Sequence, residues 1–446
     1  MDSKILTEAL RSLLLAVRQD IKPDLSSAQA QSRADMIDMV LARLATEVDV
    51  AADAGTPAAS PLSRDELDAL HKAVAPDINK EAELHGKIAA FADAEQARRS
   101  TIESRLAELS KVAAVAEQSG DNKPLPKEFF SEYLRGKFPD RPAAEVTKVT
   151  VIPGGRSKGT ILLDLEGPDG PDAIVIRRDF AVNTTGVSVT YEYPIIEALF
   201  KAGVAVPEPR WLEEDTSVIG GAFIGFSKIS GKAMGTLFQS DAPPGFIKNF
   251  AATLARMHAL DIDKAGIGDK LQWGDAAHPV KAMLDDYYRD YINDVPPTAI
   301  MDAAFAWLYL QLDKIGNQRT LVHGDAGLHN TMGEGDTFTG MLDWEFCHAG
   351  DPAEDLTYHK HLIEKLLPWD DFMAAYKASG GQDVSEIRLQ FFTIWRSVLL
   401  GVMMGRATNM FYKGINHDLR IATIGLNSFP RIMNDLARDL AKFTKA

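Results

Sequence analysis

The clearest chemical pattern in the sequence is Leu-Val-His-Gly-Asp-Ala-Gly-Leu-His-Asn at residues 321–330, followed by Met-Leu-Asp-Trp-Glu at 341–345. Asp325, Asn330 and Asp343 stand in it as an Asp, four intervening residues, an Asn, and a later Asp. That order suits phosphoryl transfer. An acceptor hydroxyl must be held in line and must lose its proton, which calls for a carboxylate beside it. Mg²⁺ is a hard cation, and one amide oxygen with one carboxylate leaves positions open for phosphate oxygens. Read singly, each residue would fit a turn between strands equally well. The joint pattern is the signal, with apolar Leu321–Val322 and Met341–Leu342 leading into the two acidic stretches.

A second segment, Ile-Pro-Gly-Gly-Arg-Ser-Lys-Gly-Thr at 152–160, lies between two expected strands. Its glycines let backbone N–H groups approach and cradle anionic oxygens. It is neither a Walker loop nor the protein-kinase glycine pattern. His323, His329, His348 and His359 lie near Asp325, Asp343 and Asp351, so a metal-dependent hydrolase is a competing reading. No His-Glu-x-x-His helix supports it, and no Gly-x-Ser-x-Gly elbow supports a serine hydrolase.

The 321–345 string, with Gly-Asp-Pro at 350–352 and Asp355–Leu356, resembles the aminoglycoside phosphotransferase and choline kinase superfamily, nearest the branch associated with acyl-CoA dehydrogenases. The similarity spans about residues 124–400 and is strongest at 320–360. It implies a protein-kinase-like fold, ATP or sometimes GTP as donor, and Mg²⁺. Carried over by position, Asp325 is the catalytic base or acceptor-orienting carboxylate, and Asn330 and Asp343 hold the metal. His323, Asp351 and Asp355 support the catalytic loop, and Gly155, Arg156, Ser157 and Lys158 contact phosphate. Arg177 fills the strand position where kinases carry a phosphate-binding lysine, a departure that resembles this branch. A guanidinium can still bridge two phosphate oxygens. Glu192, on the next helix, is then the expected ion-pair partner of Arg177, while Arg178 faces the other side of a regular strand. Backbone around Phe226–Lys232 is the expected adenine hinge.

Positioning these groups requires a small sheet and then helices. Strand-like Val146–Ile152, Thr160–Leu165 and Ala173–Arg177, with a turn at 167–170, follow a helix at Lys127–Lys137. A helix carrying Glu192, Ile195, Ile196 and Leu199 comes next, then Pro207, Pro209 and the strand Ala222–Ile229. Helical periodicity dominates from Pro243, apart from short strands within 320–345. Upstream, apolar stripes at 3–20, 36–48 and 81–117 read as helices with no chemical motif, and 51–61 as a linker. Ser63 and Glu66 have capping-box spacing. The expected class is α+β: a two-lobed kinase-like fold preceded by an all-α bundle. The expected units are a helical bundle at 1–120, a nucleotide-binding lobe at 121–230, and a helical catalytic and acceptor lobe at 231–446.

At 446 residues and a net charge of −15, the chain is long enough for several cores and is poorly matched to nucleic-acid backbones. Its single cysteine, Cys347, suits a reducing compartment. Acids and arginines interrupt the apolar start, against a targeting segment. The apolar stretch near residue 400 reads as shorter than the ~20 residues of a membrane span. A cytoplasmic enzyme is therefore expected, with nucleotide and a small-molecule acceptor as partners, and with room for a homodimer through the bundle. The branch resemblance favours a hydroxy acid or hydroxyacyl-CoA acceptor over an aminoglycoside, another antibiotic or choline. Trp395 and Arg396 are candidate acceptor contacts, with core packing the competing role for the tryptophan. A catalytically weak scaffold recruiting a partner through the bundle is the non-enzyme alternative.

Overall fold

The computed structural model describes residues 10–15, 17–25, 28–53, 63, 65–67, 83–96, 100, 125–139, 145–152, 158–168, 170–180, 187–236, 239–412 and 428–444. Two compact units emerge, one of Glu117–Val280 with Asn317–Val384, the other of Met1–Ala116 with Lys281–Gly316 and Ser385–Ala446. The sequence expectation drew three consecutive units instead. Helical periodicity marks which face of a helix is apolar, but not which other helices it meets.

The first unit contains an antiparallel sheet of β1 (Glu145–Ile152), β2 (Lys158–Gly167), β3 (Gly170–Asp179), β4 (Pro209–Glu213) and β5 (Phe223–Ser227), ordered β1-β2-β3-β5-β4. Residues Gly167 and Gly170 pair across the expected β2–β3 turn, where Gly170 takes a positive φ of 100°. Period-two burial sorts the faces. Ile161, Leu163, Leu165, Ile174 and Ile176 enter a core with Phe130, Trp211 and Phe223, each side chain contributing about 1.5–3 kcal/mol when fully buried. The helix Lys127–Lys137 covers that face with Phe130 and Leu134. Arg177, one residue beyond Ile176, therefore projects from the opposite face, and its register partner Thr160 marks the same face of β2. Lys158, two residues before Thr160, shares it.

The helix Val189–Lys201 follows, capped by Ser188, whose hydroxyl accepts from the Thr190 N–H at 3.2 Å. Further on, β6 (Lys232–Ala233), β8 (Thr331–Glu334) and β9 (Thr337–Met341) form a three-stranded sheet, and β7 (Thr320–Val322) pairs with β10 (His348–Gly350). These short strands carry the loops 323–330 and 342–347 at their ends. Helices Pro244–His258, Ala353–Tyr358, Lys360–Leu366 and Trp369–Ala378 belong to the same unit. The mixed class, a small antiparallel sheet with many helices, is the one the sequence implied.

In the helical unit, Ala299–Ile315 is buried along most of its length, with Thr298 capping the Met301 N–H. Gln311 Nε2 meets His85 Nε2 at 2.9 Å, tying residues 83–96 to this helix. The Ser63–Glu66 capping box forms reciprocally, at 2.7 Å and 3.2 Å. Of the expected helix at 81–117, residues 81–82, 97–99 and 101–117 lie outside the described residues, as do 54–61 of the expected linker, whose residues 51–53 instead end the helix Ala28–Asp53. Glu386–Tyr412 contains a stretch, Glu386–Ala407, long and apolar enough to cross a membrane by length and composition, longer than the sequence reading allowed. With 61 % of its apolar window buried inside the protein, it has the character of a core helix.

Candidate active site

The catalytic-loop segment starts where β7 ends. Asp355, almost wholly buried, accepts hydrogen bonds from the backbone N–H groups of His323 (2.8 Å) and Gly324 (3.0 Å). His258 Nε2 reaches the same carboxylate at 3.0 Å, and its Nδ1 lies 3.0 Å from the Tyr376 hydroxyl. An ionised carboxylate only accepts, so Nε2 carries the proton and, in the neutral ring, Nδ1 accepts from Tyr376. Burial pushes the Asp355 carboxyl up, but His258, His323 and the backbone donors outweigh it and hold the group below its ordinary range. Gly324 has φ of 76°, and a Cβ there would lie 2.4 Å from the Phe346 carbonyl oxygen. Only glycine allows that close crossing.

His323 is fully buried with both ring nitrogens engaged. Nδ1 accepts from the Asp325 N–H at 3.3 Å, so Nε2 bears the proton donated to the Leu342 carbonyl at 3.0 Å. This ties the 323–330 loop to the 342–347 loop and leaves the ring no free nitrogen for proton transfer. Asp351, also fully buried, accepts from the Ala353 N–H at 2.8 Å and fixes the start of Ala353–Tyr358.

Asp325 Oδ2 accepts from Asn330 Nδ2 at 2.9 Å and lies 3.4 Å from His329 Nε2. Its Oδ1 has no hydrogen-bond partner. Burial raises the carboxyl's pKa, but His329 chiefly, then Tyr358 and His323, outweigh it, so the group sits below its ordinary range and is ionised at neutral pH. Asn330 Nδ2 also donates to the Asp325 carbonyl at 3.0 Å. Both of these bonds use the amide nitrogen, which leaves Oδ1 as an acceptor.

Asp343 takes a left-handed φ of 65°, strain of order 1 kcal/mol that Asp tolerates better than most residues. Its Oδ1 accepts from Arg177 Nη2 at 2.5 Å. Lys158 Nζ donates to Glu345 Oε2 at 2.7 Å and lies 2.9 Å from Glu192 Oε1, an ion contact without directed hydrogen-bond geometry. Burial disfavours the charged Lys158, but the two glutamates outweigh it and raise its pKa. Burial pushes the Glu192 carboxyl up to about 7, because Lys158 and Arg177 compensate it only in part and the nearby Asp343 adds a like charge.

Two expectations are corrected by this geometry. Glu192 contacts Lys158 directly rather than Arg177, and Arg177 goes to Asp343. Lys158, expected in the phosphate loop, is the first residue of β2 and is buried between the glutamates. The cause is the hairpin register: Thr160 faces Arg177 and Lys158 faces Asp179, so both cations leave the sheet on one side. Gly155, Arg156 and Ser157 lie outside the described residues. In the helical unit, Trp395 is fully buried and packs edge-on against Tyr287 at 5.2 Å, which is a core role. Arg396 is half-buried on the same helix. Glu345 and His258 were missed as participants. Glu345 was visible inside the 341–345 motif, whereas His258 carries no local signal.

Asn330 and Asp343 fit a hard cation: an available amide oxygen and a carboxylate whose present counter-ion is a guanidinium. Among the described residues no group of three or more His, Cys, Asp or Glu is arranged to hold a metal, so the phosphates and water would have to complete the shell.

The phosphotransferase enzyme family model matches residues 148–389. Acyl-CoA dehydrogenase family member 11 of Rattus norvegicus is 26 % identical over 243 residues, covering 52 % of this chain and 30 % of that protein. Family member 10 of Mus musculus is 28 % identical over 247 residues, covering 52 % of this chain and 22 % of that protein. The chain thus spans less than a third of the length of these curated relatives. Among solved structures, a candidate aminoglycoside phosphotransferase from Ralstonia eutropha JMP134 shares the fold, with a TM-score of 0.55 at 20 % identity over 70 % of this chain and 98 % of that one. The family match takes in the sheet from residue 148 onward, Glu192 and the whole 321–345 motif, and on it the chain belongs to the phosphotransferase enzyme family.

Proposed function

We propose that the chain is an Mg²⁺-dependent kinase that transfers the terminal phosphoryl group of ATP to the hydroxyl of a hydroxy acid or hydroxyacyl-CoA. The observation that carries this reading is Asp325, with one carboxylate oxygen anchored by Asn330 and the other without a hydrogen-bond partner, on a loop locked by Asp355. Asp325 Oδ1 orients the acceptor O–H and takes its proton as the new O–P bond forms and the P–O bond to ADP breaks. Asn330 Nδ2 holds Oδ2 and so sets the carboxylate plane. Mg²⁺ held by Asn330 and Asp343 would neutralise charge on the phosphate oxygens. Arg177 would bridge phosphate oxygens with its planar fork.

The acceptor class draws on the relatives' names, which place them among acyl-CoA dehydrogenase family members. Phosphorylation turns a poor leaving group on an acyl chain into a good one. The test is ADP production with Mg²⁺-ATP or Mg²⁺-GTP across hydroxyacyl-CoAs, free hydroxy acids, choline and aminoglycosides. Turnover with the acyl compounds supports the reading. Turnover confined to choline or aminoglycosides keeps the kinase and overturns the acceptor.

A further inference from the structure

Resting on that reading of the site, we propose that Arg177 is a resident counter-ion for Asp343 in the nucleotide-free protein, with Lys158 serving as the fixed partner of Glu192. Metal then binds weakly alone and more tightly together with nucleotide. The two cations differ in their surroundings. The Lys158 side chain is fully buried and meets two carboxylates, at 2.7 and 2.9 Å. Neither bond can open without leaving charge in a dry site, so this cluster stays closed. The Arg177–Asp343 pair is 22 % and 27 % exposed, and water can replace either partner as they separate.

Arg177 is also incompletely satisfied. Its Nε lacks a hydrogen-bond partner, and the Asp343 contact is made through Nη2. A phosphate offers such a fork two oxygens at once, a better match than one carboxylate oxygen. Lys158, Arg177, Glu192, Glu345 and Asp343 place two basic side chains among three acidic ones, with Glu192 only partly ionised near neutral pH. With Arg177 in place on Asp343 Oδ1, a lone divalent ion meets a cation beside the carboxylate that would hold it. Arriving with nucleotide, the ion takes the carboxylate while the phosphates take the arginine. Lys158 makes the exchange feasible, because the direct contact to Glu192 is Lys158's and stays in place when Arg177 leaves Asp343. Arg177 thus has two partners in turn, Asp343 and the phosphates, whereas Lys158 is a positioning residue for Glu192.

The experiment is Mn²⁺ titration of the nucleotide-free full chain, read from the free-ion EPR signal, in wild type, Arg177→Gln and Arg177→Lys. Arg177→Gln should bind Mn²⁺ about tenfold or more tightly than wild type. Arg177→Lys should restore the weak binding, and adding Asp343→Asn to Arg177→Gln should erase the gain. Equal Mn²⁺ affinity in wild type and Arg177→Gln overturns the proposal, as does a gain that survives Asp343→Asn. The same titration of wild type with ATP present separates the two claims. Without nucleotide-dependent Mn²⁺ binding, the kinase reading fails and the proposal with it. With such binding but equal nucleotide-free affinities, only the counter-ion fails.

Discussion

Replacing Lys158 with methionine removes a cation from between two buried acids while nearly keeping side-chain volume. Its Nζ lies 2.7 Å from Glu345 and 2.9 Å from Glu192, with side-chain exposures of 0 %, 7 % and 2 %. Breaking a buried pair by removing one partner costs about 3–5 kcal/mol, because the surviving charge is left uncompensated. For a unit of this size about 2–4 °C is lost per kcal/mol, so melting should fall by about 6–20 °C. Adding Glu192→Gln should recover much of that loss, since Gln resembles the protonated acid and only Glu345 then remains charged. The pH response has a defined sign. Burial lifts Glu192 in the folded protein to about 7, above the ordinary glutamate value of 4.5, so its contribution is most favourable below 4.5 and weakens as pH rises through 7. In Lys158→Met the folded value rises further, so lowering the pH from 7 to 5 should rescue the variant more than the wild type. Scanning calorimetry at the two pH values reads both effects. A Lys158→Met transition within about 2 °C of wild type, with no gain from Glu192→Gln, would refute the reasoning.

Two further outcomes follow from the loop's supports. Asp355 lies below its ordinary range, so its stabilisation should be complete above about pH 4 and lost as pH falls through its lowered folded value. Asp355→Ala should cost about 3–5 kcal/mol in urea unfolding and flatten that acid limb; an unchanged limb would count against the network. Gly324→Ala should destabilise by about 1–3 kcal/mol, with kcat lost more than KM changes, because the new Cβ meets the Phe346 carbonyl oxygen at 2.4 Å. A fully active Gly324→Ala protein would mean that the loop tolerates displacement.

Much of the site was legible because its residues sit in one short motif. Asp325, Asn330 and Asp343 fall on loops whose flanking apolar pairs, Leu321–Val322 and Met341–Leu342, announce strands. The Ser63–Glu66 box was readable for the same reason, its partners being three residues apart. Partnerships across elements were not. Lys158 and Glu345 are separated by 187 positions, and nothing local shows that the β2–β3 register turns Lys158 toward Glu192. His258 reaches Asp355 over 97 positions and looks in sequence like any polar residue ending an amphipathic helix. The grouping of Lys281–Gly316 and Ser385–Ala446 with the N-terminal helices was hidden too, since each stripe is apolar without naming its partner.

The central claim is that Asp325 serves phosphoryl transfer rather than nucleotide binding. Its most direct test is transfer of labelled γ-phosphate from ATP to an acceptor by wild type and Asp325→Asn, with ATP affinity measured calorimetrically on both. Turnover should fall by about 10²–10⁴ in Asp325→Asn while ATP affinity changes by less than about threefold. Transfer that continues at the wild-type rate in Asp325→Asn would contradict the claim.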